Sequence, residues 1–225
     1  MHLKIRHRTE YRYETPVRYS IQELRLTPPT LAGQQIDKWK VSTPIKSSNS
    51  IDTFGNVCSV FVQEAPYTSM MIEAEGEVHT QDAYEFIDDA KAVSPYYLLQ
   101  QTNLTEPTEE MLEYFSYGLP KKNSVDQIIK LAQAVQGLIV YTPGQTNFAT
   151  TAAQSFAMKS GVCQDHAHIM LSLCRASNIP ARYVSGYFFA EDSPNLASHA
   201  WIDFCTDINQ GLWTSIDITN TCFTD

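Results

Sequence analysis

Three residues in the C-terminal half of the chain combine a nucleophile, a base and an acid: Cys163, His199 and Asp217. Cys163 follows Gly161, expected to allow a tight turn, and is predicted to lie in the first turn of a helix. Unpaired backbone N–H groups and the helix dipole favour negative charge there. The thiolate is the nucleophilic form of cysteine, and the same N–H groups could bind an oxyanion. This position therefore indicates nucleophilic catalysis by a thiol.

A thiol nucleophile needs a base, and the base needs a group that orients it. His199 and Asp217 lie on two successive predicted strands, which a hairpin would bring together. Asp217 stands between Ile216 and Ile218, and a lone carboxylate is costly to bury among such residues. His199 is its natural partner, so the sequence predicts a Cys-His-Asp triad.

Four further residues are candidates for contact with the substrate: Gln164, Asp165, Trp201 and Tyr141. Asp165 could instead stabilise the helix dipole or order the loop around Cys163, and Trp201 could be a core or cleft-wall residue. The backbone N–H of Cys163 is one expected oxyanion donor. Three side chains are candidates for the second donor: Tyr141, Gln145 and Gln154.

No metal or cofactor is expected. His166 and His168, two residues apart on a helix, would point about 200° away from each other and could not chelate one ion together. One is expected to make a polar contact near the site, and the other to pack or face solvent. The five cysteines are odd in number and lack CxxC spacing, which argues against a disulfide framework or structural zinc site.

The first half of the chain has the pattern of strands. Apolar and charged residues alternate from Leu3 to Tyr13, so one face should be buried and the other wet. Phe54-Gly55-Asn56 is typical of a tight turn between strands, and no helical period appears before about residue 84. Residues 1–95 are therefore predicted to form an antiparallel β domain.

The second half mixes helices and strands, so the predicted fold class is α+β. Ser124 to Gln127 has the form of a capping box, followed by helical spacing to Ile139. Residues 96–225 should form a core in which the Cys163 helix packs on an antiparallel sheet. Its other predicted elements are a helix over Glu106–Leu119 and strands over Ala181–Phe189, His199–Thr206 and Trp213–Thr219, the first two joined by the acidic Ala190–Asn195 link.

The bulk composition excludes several classes. The 225 residues are 43% hydrophobic and 18% charged, as in a folded chain that buries a core. A net charge of −9 argues against nucleic acid as a partner, because such binding needs clustered positive charge. No apolar run is long enough for a membrane span, and the alternating N-terminus differs from a signal peptide. A cytoplasmic protein with a peptide or protein substrate is expected; the oligomeric state stays open.

Five segments together resemble the transglutaminase-like superfamily, in particular its bacterial cysteine protease branch with an N-terminal β domain: Asp52–Asn56, Gly161–His168, Ala181–Tyr187, Ser198–Trp201 and Asp217–Asn220. The resemblance implies a papain-like core in which Cys163 attacks a carboxamide or peptide carbonyl, His199 relays the proton and Asp217 orients His199. Water or an amine then resolves the thioester. Ile218 departs from the family, where proline is common, but the carboxylate before it is kept.

The expected function is amide-bond hydrolysis through a thioester acyl-enzyme, as by a cysteine protease or amidase. No calcium site or dedicated amine pocket can be identified in the sequence, which favours hydrolysis over crosslinking of protein glutamine. A non-catalytic binding module is the alternative from another class, although such modules typically lose a triad residue. Arylamine acetyl transfer uses a similar triad, but the N-terminal β domain argues against it.

Overall fold

The computed structural model describes residues 1–88, 93–121, 124–189 and 198–224. They form two compact units, Met1–Ala83 and Tyr84–Thr224. Strands alone build the first unit, whereas helices and strands build the second. The predicted α+β class is therefore confirmed.

Two antiparallel sheets of three strands make up the first unit, with strand orders β1-β6-β3 and β2-β5-β4. Half-buried and exposed residues alternate along the start of the first strand, as the sequence predicts, although Tyr11 is 43% exposed. A small apolar cluster of Phe61, Met70 and Ile72 lies in this unit. The strands are β1 His2–Val17, β2 Ser20–Thr27, β3 Gln34–Ser42, β4 Ser48–Ile51, β5 Val57–Gln63 and β6 Tyr67–Thr80.

Hydrogen bonds to the Asp52 carboxylate stabilise the turn between β4 and β5. Asp52 accepts hydrogen bonds from the backbone N–H groups of Phe54 and Asn56, at 2.9 and 2.8 Å, and from the Asn56 amide at 3.0 Å. Arg25 Nε donates to the same carboxylate at 2.9 Å. Gly55 adopts φ 83°, which only glycine takes easily, so the predicted turn is confirmed.

The second unit is built around a mixed set of short helices and one antiparallel sheet. That sheet has the order β10-β11-β12-β13, and β7 pairs with β12 on a separate stretch. Besides a 3₁₀ helix over Pro95–Leu99, its elements are β7 Glu85–Ile87, α1 Glu109–Phe115, α2 Val125–Leu138, β8 Val140–Tyr141, α3 Ala152–Met158, β9 Ser160–Gly161, α4 Cys163–Ala176, β10 Ala181–Tyr187, β11 Ser198–Asp207, β12 Leu212–Asp217 and β13 Cys222–Phe223.

Strand pairing assigns β7 to the second unit. Ile87 lies opposite Leu212, and Phe86 lies opposite Trp213. Phe86 and Trp213 join one buried cluster with Leu98 and Cys205, which explains why this short segment leaves the N-terminal strands. The sequence-based boundary at residue 95 placed the same segment in the first domain.

Helix α4 lies at the centre of the second unit. It packs against β10 and β11 on one side and against α2 and α3 on another. Every residue from Asp165 to Cys174 is buried, so this helix has no wet face over that stretch. A helix surrounded on all sides is held rigidly, and Cys163 lies at its first position.

The predicted helices are found with two corrections. Helix α1 is shorter than predicted at both ends, and its start is set by the Thr108 hydroxyl, which caps it by accepting from Met111 N at 3.2 Å. Helix α2 is confirmed, but its predicted capping box is wrong. Ser124 makes no side-chain cap, and Gln127 Oε1 accepts instead from Lys121 N at 3.0 Å. A complete capping box occurs at α3, between Thr151 and Gln154.

The three strands predicted near the C-terminus are confirmed as β10, β11 and β12, each within a few residues of its expected bounds. The acidic Ala190–Asn195 link lies outside the described residues. Among the helices of the described ranges, none combines the length and apolar character that crossing a membrane requires.

Candidate active site

Cys163 is placed by a strand pair and a helix start that follow each other directly. Val140 and Tyr141 of β8 pair in parallel with Ser160 and Gly161 of β9, and α4 begins at Cys163. The thiol is half-buried. Because the helix starts here, the first backbone N–H groups have no acceptor within it and are available to a developing oxyanion.

The Asp165 side chain is buried beneath the connection between β9 and α4, where a substrate cannot reach it. It is fully buried, and its Oδ2 accepts from Val162 N and from Thr146 Oγ1, both at 2.7 Å. The sequence offered substrate contact and loop ordering as roles for Asp165, and the burial corrects the first. This side chain ties the loop at Thr146 to the residue just before the nucleophile.

The same carboxylate explains Gly161. A Cβ at this position would lie 2.5 Å from the Asp165 Cβ and 2.7 Å from its Oδ2, so no larger residue fits without displacing the carboxylate. The expected tight turn at Gly161 is wrong, since the residue is part of strand β9 and its φ is not positive. Close approach, and not backbone freedom, requires glycine here.

His199 and Asp217 meet on neighbouring antiparallel strands, β11 and β12. His199 Nε2 lies 2.6 Å from Asp217 Oδ2, the histidine side chain is 12% exposed and the aspartate is fully buried. The Cys163 thiol lies close enough to His199 to raise the pKa of the imidazole. Since Nε2 is engaged by Asp217, the other ring nitrogen, Nδ1, is left for the thiol. The structure thus brings the three predicted residues together in the order Cys, His, Asp.

A turn after β12 supplies hydrogen-bond donors to both oxygens of the Asp217 carboxylate. Its Oδ1 accepts from the backbone N–H groups of Thr219 and Asn220, at 2.9 and 3.2 Å. The Asn220 amide donates to Oδ2 at 2.6 Å, the same oxygen that receives His199. Four donors therefore compensate the burial of this charge. Asn220 was not singled out from the sequence, although Asp and Asn are both residues that favour turns.

The protonation of the pair follows from these contacts. Burial alone would lower the pKa of His199, but the hydrogen bonds and charges of Asp217 and Cys163 outweigh it and raise that pKa to about 9. Burial likewise opposes ionisation of Asp217, yet the bonds from His199 and Asn220 hold its pKa below the ordinary value. A protonated His199 beside an ionised Asp217 is the stable arrangement near neutral pH.

His166 braces the Asp217 segment from α4. Its Nε2 lies 3.1 Å from the carbonyl of Ile139, which can only accept, so Nε2 carries a proton. Its Nδ1 then accepts from the Thr219 hydroxyl at 2.9 Å. Burial lowers the pKa of His166, in keeping with this neutral form. The polar contact expected for one of the two helix histidines is thus made by His166.

The His168 side chain contacts a different part of the second unit from His166. Its ring packs against Tyr183, with centroids 5.5 Å apart, and burial lowers its pKa. The two histidines therefore have separate partners.

Two aromatic rings lie beside the imidazole of His199. Phe188 lies 5.2 Å and Trp201 lies 6.3 Å from the His199 ring, measured between centroids. Trp201 packs over Gly186, where a Cβ would come within 2.5 Å of the indole. Burial, followed by the nearby Cys163 charge, raises the pKa of Tyr141 and raises that of Tyr183 to about 12. Tyr141 is thus the predicted second oxyanion donor with an identified electrostatic link to Cys163.

The other predicted contact residues line or border a cavity of about 460 Å³ beside α3. Gln164 donates from Nε2 to the Asn147 carbonyl at 3.0 Å, which ties the start of α4 to the cavity wall. Gln154 uses its side-chain oxygen to cap α3, accepting from Thr151 N at 2.9 Å. No triad residue lines the cavity, whose walls are Gln145, Asn147, Ala149, Thr150, Gln154, Ala157 and Met158.

A helix that carries a cysteine and packs on an antiparallel sheet with histidine and aspartate is the architecture of the transglutaminase-like class. Residues 114–218 match the model of the transglutaminase-like superfamily, and residues 3–79 match that of the bacterial transglutaminase-like N-terminal region. The chain therefore resembles the transglutaminase-like superfamily over both matched segments, as its motifs indicated.

Relatives of similar organisation are found in mycobacteria. An uncharacterized protein of Mycobacterium leprae is 28% identical over 239 residues, covering 97% of this chain and 83% of that protein. An uncharacterized protein of Mycobacterium tuberculosis H37Rv is 27% identical over 245 residues, covering 96% and 78%.

Two solved structures share the fold. A candidate cysteine protease from Cytophaga hutchinsonii superposes with a TM-score of 0.74 at 21% identity, covering 98% of this chain and 77% of that one. The periplasmic domain of TgpA from Pseudomonas aeruginosa, bound to ethylmercury, gives a TM-score of 0.50 at 15% identity, covering 95% and 75%. Both extend the likeness across nearly the whole chain.

Proposed function

We propose that this protein hydrolyses amide bonds through a cysteine thioester, with Cys163 as nucleophile, His199 as proton carrier and Asp217 as the residue that orients His199. The observation that carries the proposal is the 2.6 Å bond between His199 and the buried Asp217, with the Cys163 thiol close enough to raise the pKa of the imidazole. Nucleophile, base and orienting group in hydrogen-bonded sequence are the requirements for an activated thiol.

Acylation follows from the charges of the pair. The Cys163 thiolate attacks the carbonyl carbon, an S–C bond forms, and the oxygen becomes an oxyanion next to the Cys163 backbone N–H. Collapse breaks the C–N bond while His199 gives its Nδ1 proton to the leaving nitrogen. An amine departs, and a thioester and a neutral imidazole remain.

Deacylation reverses the proton flow. His199 Nδ1 takes a proton from water as the water oxygen bonds to the thioester carbon. The C–S bond then breaks, which releases a carboxylic acid and restores the thiolate and the imidazolium. Asp217 stays ionised throughout, since its four donors stabilise the charged form.

Water is the proposed acceptor in preference to a lysine amine. A cationic amine would be attracted by a carboxylate near its entry path. Among the described residues that line the cavity bordered by Gln164, none is acidic, and four carry amide or hydroxyl groups. This lining suits an uncharged polar peptide segment. Transfer to an amine is the second outcome that the experiment below distinguishes.

Incubation of the chain with a peptide library, with and without a tagged primary amine, tests the proposal by product mass. Cleaved or deamidated peptides are expected, and they should disappear in Cys163→Ala but persist in Cys58→Ala, which removes a thiol from the other unit. Amine adducts as the main product would replace hydrolysis by transfer. Products that survive Cys163→Ala would rule out Cys163 as the nucleophile, whereas no products with any peptide would support the non-catalytic binding module instead.

A further inference from the structure

A second cluster of ligating side chains lies in the first unit, where the sequence indicated no chemistry. His2, Asp37 and His79 each offer one ligand atom, and these atoms all lie within 4.8 Å of one another. The rings of His2 and His79 stack with centroids 4.4 Å apart and planes 11° apart. His79 Nε2 lies 2.9 Å from Asp37 Oδ2. We call these three residues the three-strand cluster.

Strand order brings the cluster together. His2 on β1 lies directly opposite His79 on β6, and β6 is the central strand of the sheet β1-β6-β3. Asp37 lies on β3, at the point where the register to β6 shifts between Ile36 and Lys38. A bulge redirects side chains relative to the regular alternation. The shift therefore accounts for a carboxylate facing the two stacked imidazoles.

A fourth oxygen ligand is near. Glu77 lies two residues before His79 on the same face of β6, and its Oε2 is 3.4 Å from His2 Nε2. The side chains are accessible: His2 is 51% exposed, His79 46%, Asp37 33% and Glu77 30%. His79 also lines a cavity of about 190 Å³ formed with residues 30–35 and Gln81, so the cluster opens toward a recess.

We propose that the three-strand cluster binds a divalent transition ion of the zinc class, with His2, His79 and Asp37 as ligands and Glu77 or water completing the set. Two imidazoles and one carboxylate are a ligand set that zinc prefers, whereas calcium and magnesium prefer oxygen alone. Tetrahedral zinc needs ligand atoms roughly 3.3 Å apart, from Zn–N and Zn–O distances near 2.0–2.2 Å. The ligand atoms of the cluster, all within 4.8 Å of one another, would reach that spacing by side-chain rotation.

Neighbouring positive charges limit the affinity for a cation. Lys4 and Lys38 both lie opposite Glu77 in the sheet register, so positive charge flanks the fourth ligand.

The first three ligands come from three separate strands, and an ion would therefore cross-link β1, β6 and β3. Binding to the folded state alone would raise the thermal stability of the chain with increasing zinc concentration.

Calorimetric titration of the full chain with ZnCl₂ tests this proposal. The Cys163→Ala background removes the site thiol, which could itself ligate zinc. One Zn²⁺ per chain is expected, together with a zinc-dependent rise in melting temperature. His79→Ala and His2→Ala should weaken binding about tenfold or more. Gln35→Ala is the matched control, since Gln35 is exposed and lies opposite His79 in the register.

Asp37→Asn keeps the shape of the side chain and removes its charge, so it should also weaken binding while circular dichroism stays unchanged. Weakening confined to the cluster variants, with Gln35→Ala like the parent, supports the site. Equal zinc binding by all variants, no zinc binding, or equally tight binding of Mg²⁺ would each overturn it. None of these outcomes depends on the proposed hydrolase activity.

Discussion

The two units each contain an aspartate held by a turn of its own and paired with a basic residue from a neighbouring strand. Asp52 receives two backbone N–H groups and the Asn56 amide, and Asp217 receives two backbone N–H groups and the Asn220 amide. The basic partner is Arg25 in the first unit and His199 in the second. The same arrangement, an aspartate that accepts from two backbone N–H groups and an asparagine amide, thus binds two different basic partners.

The identity and the burial of the basic partner determine what each aspartate pair can do. Arg25 is 49% exposed and stays charged at any ordinary pH, so its bond to Asp52 can only fix structure. His199 is 12% exposed and can release and regain a proton. A cysteine accompanies each aspartate: Cys58 lies 3.7 Å from Asp52, whereas Cys163 lies close enough to the histidine to raise its pKa. Only the second arrangement connects a thiol to a titratable base.

The largest expected effect concerns the basic partners. His199→Ala should slow alkylation of Cys163 by iodoacetamide at pH 6–7 by about two orders of magnitude, because the thiolate loses its imidazolium. Arg25→Ala should leave that rate unchanged and cost only about 1 kcal/mol of stability or less, since its ion pair is half exposed. Peptide mapping by mass spectrometry gives the rate for each cysteine separately.

The other cysteines serve as internal controls in the same experiment. Burial raises the pKa of Cys174 to about 12 and that of Cys205 to about 11, so both should react slowly in every variant. Equal rates for Cys163 and the remaining four thiols in the parent chain would contradict the triad. So would full selectivity for Cys163 in His199→Ala.

The second prediction compares the two aspartates through the titration of His199. In the parent chain its imidazole should titrate near pH 9, and Asp217→Asn should move the midpoint toward the ordinary 6.5. Because the pKa is raised on folding, the stability this pair contributes is present below pH 6.5 and is lost as pH rises through 9. Histidine-detected NMR follows the midpoint, with His199→Gln to assign the signal.

Asp52→Asn is the matched variant. Burial opposes ionisation of Asp52, but its bonds to Arg25 and Asn56 hold its pKa well below 3.8. Its contribution to stability is therefore present above that pH and shrinks under more acidic conditions. The variant should unfold at lower denaturant concentration at pH 7 while the His199 midpoint stays near 9. A shift of that midpoint in Asp52→Asn, or none in Asp217→Asn, would refute the distinction.

Much of this site could be predicted because its signals are local or depend on adjacent strands. Cys163 follows from a helix start, and His199 and Asp217 follow from consecutive strands that must form a hairpin. The α2 and α4 helices follow from helical spacing. Their catalytic roles stay a prediction that the experiments above address.

The rest depended on contacts that no local pattern contains. Asp165 could be a surface residue or a buried one, and only the packing around Gly161 decides between them. The bond from His166 to Thr219 joins α4 to the end of β12, far apart along the chain. The three-strand cluster requires both a non-sequential strand order and a register shift at Asp37, and alternation along single strands predicts neither.

The smallest expected effect comes from the two asparagines that support the carboxylates. Asn220 donates to the same Asp217 oxygen as His199, so Asn220→Ala should let the carboxylate move and slow alkylation of Cys163 several-fold, by up to about tenfold. Each of Asn220→Ala and Asn56→Ala should cost about 1 kcal/mol of unfolding free energy, because each removes one hydrogen bond to a charged group. Only the first should change the alkylation rate. Equal rates in the two variants would mean that the backbone donors at Thr219 and Asn220 suffice to orient Asp217, and that Asn220 has the same purely structural role as Asn56.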